Sequence, residues 1–305
     1  MSATAEVRAL PRSSFTQIST RFDREFGVYW AFMQGKPRAC FTWEVLAELR
    51  RYLDDIVESH SPSPHAVDRE QVVRYGVLAS KSRGIFNLGG DLAFFRTCID
   101  NRDRQALVNY GAACVANLYP WHRNCDLAMT SIALVQGDAL GGGFEAALSA
   151  TTLIAEDSAR MGFPEILFNL FPGMGAFSFL SRKVGRRVAD ELITSGTIYS
   201  ARQLYDIGVV DVITPDGTGE QAVSGFIRRH AKSSNGRRGY ERARNEVDPV
   251  TREELMNVVD VWADTALKLH ERDLRMMERL VRAQHRSAEP VHHVDSGKVV
   301  PIAVK

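Results

Sequence analysis

Two glutamates in apolar surroundings are the side chains of this sequence best suited to move a proton. Glu145 lies two residues after three consecutive glycines in GDALGGGFEAAL (137–148), and Glu165 lies in MGFPEILFNLFPGMG (161–175). Burial disfavours the charged form of a carboxylate and raises its pKa toward a value useful for proton transfer. We therefore predict an acid–base pair, although a single glutamate is more often salt-bridged or at the rim of a pocket.

Two groups of glycines could supply the electrostatic part of such a reaction. Residues 141–143 and the pair at 89–90 each lie between a predicted strand and a predicted helical stretch. Glycine lets a backbone N–H approach a ligand closely, and the first N–H groups of a helix have no partner within it. Together the two segments could bind a developing oxyanion. Close packing of a helix against a strand also favours glycine and is the alternative interpretation.

Other common catalytic motifs do not occur in the chain. The glycines do not match G-x-G-x-x-G, no G-K-[ST] follows them, and neither G-x-S-x-G nor H-E-x-x-H is found. This argues against dinucleotide, nucleotide-phosphate, serine-hydrolase and zinc-hydrolase sites. The four cysteines do not show metal-ligand spacing. We expect neither a metal nor a redox cofactor.

The elements that must position these residues alternate between strands and helices. Short apolar runs predict strands within 15–34, 72–80, 131–136 and 151–157. Helical spacing predicts helices at 42–59, capped by Thr42, at 102–118, stopped by Pro120, and at 144–150. Such alternation favours the α/β class.

The last third of the sequence has a different character. Residues 248–287 form one long helical pattern with an apolar face that includes Trp262. A helix of this length must bury that face against its own domain or against another subunit.

Charge and hydropathy argue against other classes of function. The 305 residues contain 38 Lys+Arg and 37 Asp+Glu, and a net charge of +1 is not typical of a nucleic-acid-binding protein. No apolar stretch approaches the roughly 18 to 20 residues that cross a bilayer. We expect a cytoplasmic protein without a membrane span.

The central segment resembles the crotonase (enoyl-CoA hydratase/isomerase) superfamily over roughly residues 15 to 287. In detail it is most similar to the diffusible signal factor synthases, which convert 3-hydroxyacyl thioesters on acyl carrier protein into cis-2-unsaturated fatty acids. The segments that show the narrower likeness are NLGGDL, QGDALGGGFEAALS, FPEILFNLFPGMG and MERLVRAQ.

The resemblance implies a fold and an assembly. An N-terminal arm (1–14) would precede a spiral of ββα units (15–225), a C-terminal helical oligomerisation region (226–287) and a tail (288–305). In the family such C-terminal helices pack in a trimer, often in a dimer of trimers, so a homo-trimer or hexamer is expected.

The resemblance also implies a role for each candidate residue. It places the oxyanion donors on the N–H groups of Gly90 and Gly142 and the catalytic carboxylates on Glu145 and Glu165. An acyl tunnel would be lined by Leu140, Met174 and Trp262, although an ordinary core role for Trp262 is equally open. The substrate would be a thioester of acyl carrier protein or of coenzyme A.

Three functions follow from these observations. The first is a dehydratase and thioesterase that releases a cis-2-unsaturated medium-chain fatty acid signal from 3-hydroxyacyl carrier protein. The second is an enoyl-CoA hydratase/isomerase of fatty-acid metabolism, and the third is a protein that binds a fatty acid or a sensor kinase. Residues 226–244, with seven Lys/Arg and one acid, form either a solvated face or a docking face for the carrier protein or coenzyme A phosphates.

Overall fold

The computed structural model describes residues 13–60 and 72–286, and side chains as far as residue 279. The predicted tail (288–305) and residues 1–12 of the predicted arm (1–14) lie outside the described residues. The division into arm, spiral domain, helical region and tail stays a prediction.

The strands form two largely parallel sheets, and from the third to the eighth strand consecutive strands alternate between them. The strands are β1 (Ile18–Asp23), β2 (Val28–Met33), β3 (Tyr75–Ser80), β4 (Gly84–Asn87), β5 (Thr130–Val135), β6 (Gly137–Leu140), β7 (Thr152–Glu156), β8 (Arg160–Gly162), β9 (Ile198–Ser200) and β10 (Val212–Thr214). One sheet has the order β1-β2-β3-β5-β7-β10, and the other has the order β4-β6-β8-β9. Only the β1–β2 and β8–β9 pairs of these described strands are antiparallel. This arrangement confirms the predicted α/β class.

Helices follow the strand pairs and then form a helical C-terminal region. They are α1 (Trp43–Ser59), α2 (Leu92–Asp100), α3 (Arg104–His122), α4 (Gly142–Leu148), α5 (Ala176–Val184), α6 (Arg186–Thr194), α7 (Ala201–Asp206), α8 (Gly219–His230), α9 (Ser234–Val247), α10 (Arg252–Ala266) and α11 (Glu271–Arg286). The Thr42 hydroxyl accepts a hydrogen bond from the N–H of Val45 at 3.4 Å, which confirms the predicted cap of α1. No α-helix in the described ranges is both long and apolar enough to cross a membrane.

Pro120 lies inside α3 and does not stop it, so the predicted end of this helix is wrong. A proline lacks an N–H, which leaves the carbonyl four residues earlier without its helical donor. That carbonyl belongs to Ala116, and the guanidinium of Arg50 donates to it at 3.1 Å. A side chain of α1 therefore replaces the missing backbone donor.

The predicted long helix at 248–287 is divided into α10 and α11. The carboxylate of Asp273 accepts the N–H of His270 at 3.0 Å, which starts a new helix. The turn lets each helix bury its own apolar face, with Val259 of α10 and Met277 of α11 both fully buried. The described residues of this apolar face are thus largely covered by the same chain, and contact with another subunit stays a prediction.

Candidate active site

A cavity of about 1690 Å³ lies beside the glycine segments and both glutamates. Its volume exceeds the roughly 300–1000 Å³ of an ordinary small-molecule pocket. It therefore has room for a substrate with a long chain. Its lining includes all seven residues selected from the sequence and the resemblance: Gly90, Leu140, Gly142, Glu145, Glu165, Met174 and Trp262.

The two glycine segments lie against each other. Gly141 has a φ of +52°, which favours glycine, and Gly142 begins α4. A Cβ added at Gly142 would lie 3.4 Å from the backbone nitrogen of Gly90. As the first residue of its helix, Gly142 has an N–H without an acceptor in that helix. The backbone nitrogens of Gly90 and Gly142 are therefore close enough for their N–H groups to act on one oxygen of a ligand.

Glu145 is almost completely buried, with 1% of its surface exposed. Its Oε1 accepts the backbone N–H groups of Met174 at 2.8 Å and Ala176 at 3.0 Å. Burial raises the pKa of Glu145 to about 7, although these two hydrogen bonds oppose the rise. Near neutral pH the group can therefore exist as acid or as base.

Glu165 lies in a short 3-10 helix, Pro164–Phe168, opposite the glycine turn. Its carboxylate contacts Gly141, because a Cβ at that position would clash with Oε1. Its Oε2 is buried and has no hydrogen-bond partner within the described residues. Burial first, and then the charge of Glu145, raise the pKa of Glu165 to about 8. Both shifts favour the protonated form, so the pair need not carry two negative charges near neutral pH.

The three candidate acyl-contact residues come from separate parts of the chain. Leu140 ends β6, Met174 lies in the loop before α5, and Trp262 belongs to α10. Trp262 is buried and packs so closely on Gly173 that a Cβ there would lie 2.6 Å from the Trp262 Cβ. The C-terminal region thus places a side chain in the cavity of its own subunit.

Sequence reasoning missed the residues that hold the first glycine pair in place. Asp91 caps α2 by accepting the N–H of Phe94 at 3.2 Å, and it binds Arg38 at 2.7 Å. The hydroxyl of Tyr110 accepts the N–H of Asp91 at 3.3 Å and donates to the carbonyl of Phe41 at 2.5 Å. The Asp after the glycines was a visible cap signal, whereas Tyr110 could not be recognised without the fold.

Positive charge lies at the mouth of the cavity. Lys36, Lys81 and Arg83 are exposed and line it, and Arg160 also lines it while bound to Asp138 at 3.0 Å. Phosphate groups of a substrate carrier would meet these cations first.

The basic segment 226–244 does not line the cavity. Its helix α9 lies near Tyr75, whose pKa is raised by burial, with Arg238 and Arg237 opposing the rise. Tyr75 begins β3, whereas Lys81 follows its end, so α9 and the mouth lie at opposite ends of a six-residue strand. Such a strand is roughly 17–20 Å long. The interpretation of this segment as a binding site for the phosphates of coenzyme A is therefore not supported.

Comparison with known proteins shows the family of the chain. The family model described as enoyl-CoA hydratase/isomerase matches residues 56–278, and the chain belongs to this family. A protein from Rhizobium meliloti named Probable enoyl-CoA hydratase is 33% identical over 146 residues, which are 48% of this chain and 57% of that protein. The fatty acid oxidation complex subunit alpha of Pseudomonas syringae pv. tomato is 32% identical over 198 residues, 65% of this chain and 25% of that protein. Both relatives are matched over less than two thirds of their own length.

Solved structures show the same fold. Human mitochondrial delta3-delta2-enoyl-CoA isomerase superposes with a TM-score of 0.71 at 18% identity, over 88% of this chain and 100% of that chain. At this identity the likeness concerns the fold alone.

Proposed function

We propose that this protein is a hydratase of 2-enoyl thioesters in fatty-acid metabolism, and that coenzyme A is the carrier. The observation that supports this most is that buried Glu145 and partly buried Glu165 lie in one cavity with the Gly90 and Gly142 N–H groups. An isomerase that only moves a double bond needs one proton carrier, whereas hydration needs a base for water and an acid for carbon.

The different surroundings of the two carboxylates suggest how they divide the work. Glu145 is stabilised as an anion by two N–H groups, so it takes a proton from water as the oxygen adds to C3. Glu165, whose buried Oε2 has no hydrogen-bond partner within the described residues to stabilise its anion, carries the proton and gives it to C2. The N–H groups of Gly90 and Gly142 stabilise the thioester oxygen while it carries negative charge. Proton transfer from Glu145 back to Glu165 restores the starting state.

The test is the hydration of trans-2-enoyl-CoA by the wild-type protein and by Glu145→Gln and Glu165→Gln. Glutamine keeps the shape of glutamate but cannot exchange a proton in this way. Each variant should lose at least about 100-fold in kcat, the lower end of acid–base contributions. Hydration at the wild-type rate by either folded variant would exclude the shared mechanism. Turnover of 3-enoyl-CoA without hydration would favour the isomerase instead.

A second candidate is the dehydration of 3-hydroxyacyl carrier protein followed by hydrolysis of the thioester. The likeness of NLGGDL, QGDALGGGFEAALS and FPEILFNLFPGMG to the diffusible signal factor synthases favours it. The same carboxylates would remove the C2 proton, protonate the departing hydroxyl and later activate water. Mass spectrometry of free acids released from 3-hydroxyacyl carrier protein tests this function. The sensor-kinase partner and the trimeric or hexameric assembly stay predictions.

A further inference from the structure

The cavity follows one face of α3 from the glycine segments into the interior. Its lining on this helix is Tyr110, Cys114, Asn117, Leu118 and Trp121, whose spacing of three or four residues places them on one side. Trp121 comes eleven residues after Tyr110 in the same helix. At 1.5 Å per residue the two are roughly 16 Å apart along the helix axis.

Tyr110 marks the end of this path that is nearest the reacting carbonyl. A Cβ added at Gly90 would lie 3.6 Å from the Tyr110 hydroxyl oxygen. The same oxygen accepts the N–H of Asp91, the residue next to Gly90. Distance along α3 from Tyr110 therefore approximates distance from the thioester.

Two aromatic rings close the other end. The ring centroids of Tyr52 and Trp121 are 6.1 Å apart, and both residues line the cavity. The Tyr52 hydroxyl donates to the carbonyl of Tyr29 at 2.6 Å, which fixes this ring. Trp121 packs on β3 so closely that a Cβ at Gly76 would lie 2.8 Å from its ring. Neither ring can move away without disturbing the sheet.

The wall between the two ends is largely apolar. Helix α1 contributes Leu46, Leu49 and Leu53 to it. The charged carrier enters at the cationic mouth formed by Lys36, Lys81 and Arg83. The apolar part of the cavity along α3 is then left for the hydrocarbon chain, because a charged group is costly to bury there.

We propose that Tyr52 and Trp121 form the floor of the acyl pocket and set the longest chain that this enzyme accepts. This inference rests on the proposed function. An extended chain advances roughly 1.2 Å per bond, as in a polypeptide that gains about 3.3–3.6 Å for three bonds. The path along α3 therefore holds roughly 13 bonds. The limit lies at an acyl chain of roughly 12 to 14 carbons.

The experiment measures kcat/KM for hydration of trans-2-enoyl-CoA with 4 to 18 carbons. The wild-type value should fall by about tenfold or more for each added pair of methylenes beyond the limit, because a misfit methylene costs at least that much. Trp121→Leu opens the floor and should raise kcat/KM for the 16-carbon substrate by about tenfold or more. The 4-carbon and 6-carbon values should stay within about threefold of wild type, since short chains do not reach the floor.

A variant with the opposite effect strengthens the design. Leu118 lies three residues before Trp121, or roughly 4.5 Å nearer the thioester. Leu118→Trp should therefore lower kcat/KM for the 12-carbon substrate by about tenfold or more while the 4-carbon substrate is still hydrated.

Trp30→Leu is the matched control. Trp30 is 3% exposed against 5% for Trp121, but it belongs to a separate core cluster on the other face of the sheet. It should not change the length profile. The proposal is wrong if folded Trp121→Leu leaves the dependence of kcat/KM on chain length unchanged. It is also wrong if Trp30→Leu shifts this dependence in the same way. Trp121→Phe is measured as well, as a smaller change that keeps an aromatic ring. The Trp121 indole N–H has no hydrogen-bond partner among the described residues, so the substitution by phenylalanine removes no hydrogen bond.

Binding separates this inference from the proposed function. Calorimetric titration with saturated fatty acyl-CoA of the same lengths needs no turnover. In one outcome, wild type hydrates no enoyl-CoA and still loses affinity for acyl-CoA beyond about 14 carbons. If Trp121→Leu moves that loss of affinity to longer chains, the proposed floor is supported and the hydratase proposal fails. If neither turnover nor affinity depends on length, the floor is wrong.

Discussion

Replacing Glu165 with glutamine should stabilise the protein at high pH while it destroys activity. The pKa of Glu165 is about 8, against an ordinary value of 4.5, because burial and the nearby Glu145 both disfavour its charge. In the unfolded chain this carboxyl ionises near its ordinary value. Below that pH both states bind the proton and the group has no effect on stability. As pH rises toward 8 the folded state must hold a proton that the unfolded state has released, so the free energy of unfolding falls.

The size of the effect follows from the same pKa values. One pKa unit corresponds to about 1.4 kcal/mol, so the full cost reaches an upper bound of about 5 kcal/mol above pH 8. Glutamine is neutral at every pH and escapes this cost. The stability difference between Glu165→Gln and wild type should therefore grow from near zero at pH 4.5 to several kcal/mol at pH 9.

The assay is urea unfolding of both proteins at intervals from pH 4.5 to 9, with hydration of enoyl-CoA measured in parallel. Glu191→Gln is the control, because Glu191 is an exposed helical glutamate. It should change the free energy of unfolding by no more than about 0.5 kcal/mol at any pH. A Glu165→Gln variant whose stability difference does not vary with pH, or which is less stable than wild type at pH 9, would refute the reasoning.

Three further predictions concern the same site and its support. The rate of hydration should show a bell-shaped pH dependence with limbs near pH 7 and pH 8. Activity falls below pH 7 because Glu145 is protonated, and above pH 8 because Glu165 ionises. A flat profile from pH 6 to 9 would contradict this. Gly142→Pro removes one oxyanion donor and should lower kcat by roughly 100- to 1000-fold. Near-normal turnover by a folded variant would remove that N–H from the mechanism. Arg50→Ala should lower the free energy of unfolding of the wild type by about 1 kcal/mol. The effect should be smaller in a Pro120→Ala background, because alanine gives the helix back its own N–H donor. Equal effects in the two backgrounds of this double-mutant cycle would contradict this.

Local sequence was sufficient to find the groups that could do chemistry and the class of fold. Glycines between a strand and a helix, and glutamates among apolar residues, are patterns within a few positions of the chain. The central strands were visible for the same reason, because β5 and β7 are buried along their whole length and contain the apolar runs IALV and LIA. The alternation of strands and helices then indicated the α/β class.

The tertiary structure decided how these groups are held and what surrounds them. The N–H groups that bind the Glu145 carboxylate come from residues 174 and 176, which are 29 and 31 positions later, and no local pattern pairs them. Pro120 was misread because its effect depends on Arg50, a side chain on another helix. The candidate floor of the cavity joins Tyr52 to Trp121 across the α1–α3 contact. Sequence reports the conformational preference of a residue and its neighbours. The depth of a cavity and the pKa of a buried carboxyl depend on contacts between distant residues, which only the folded chain brings together.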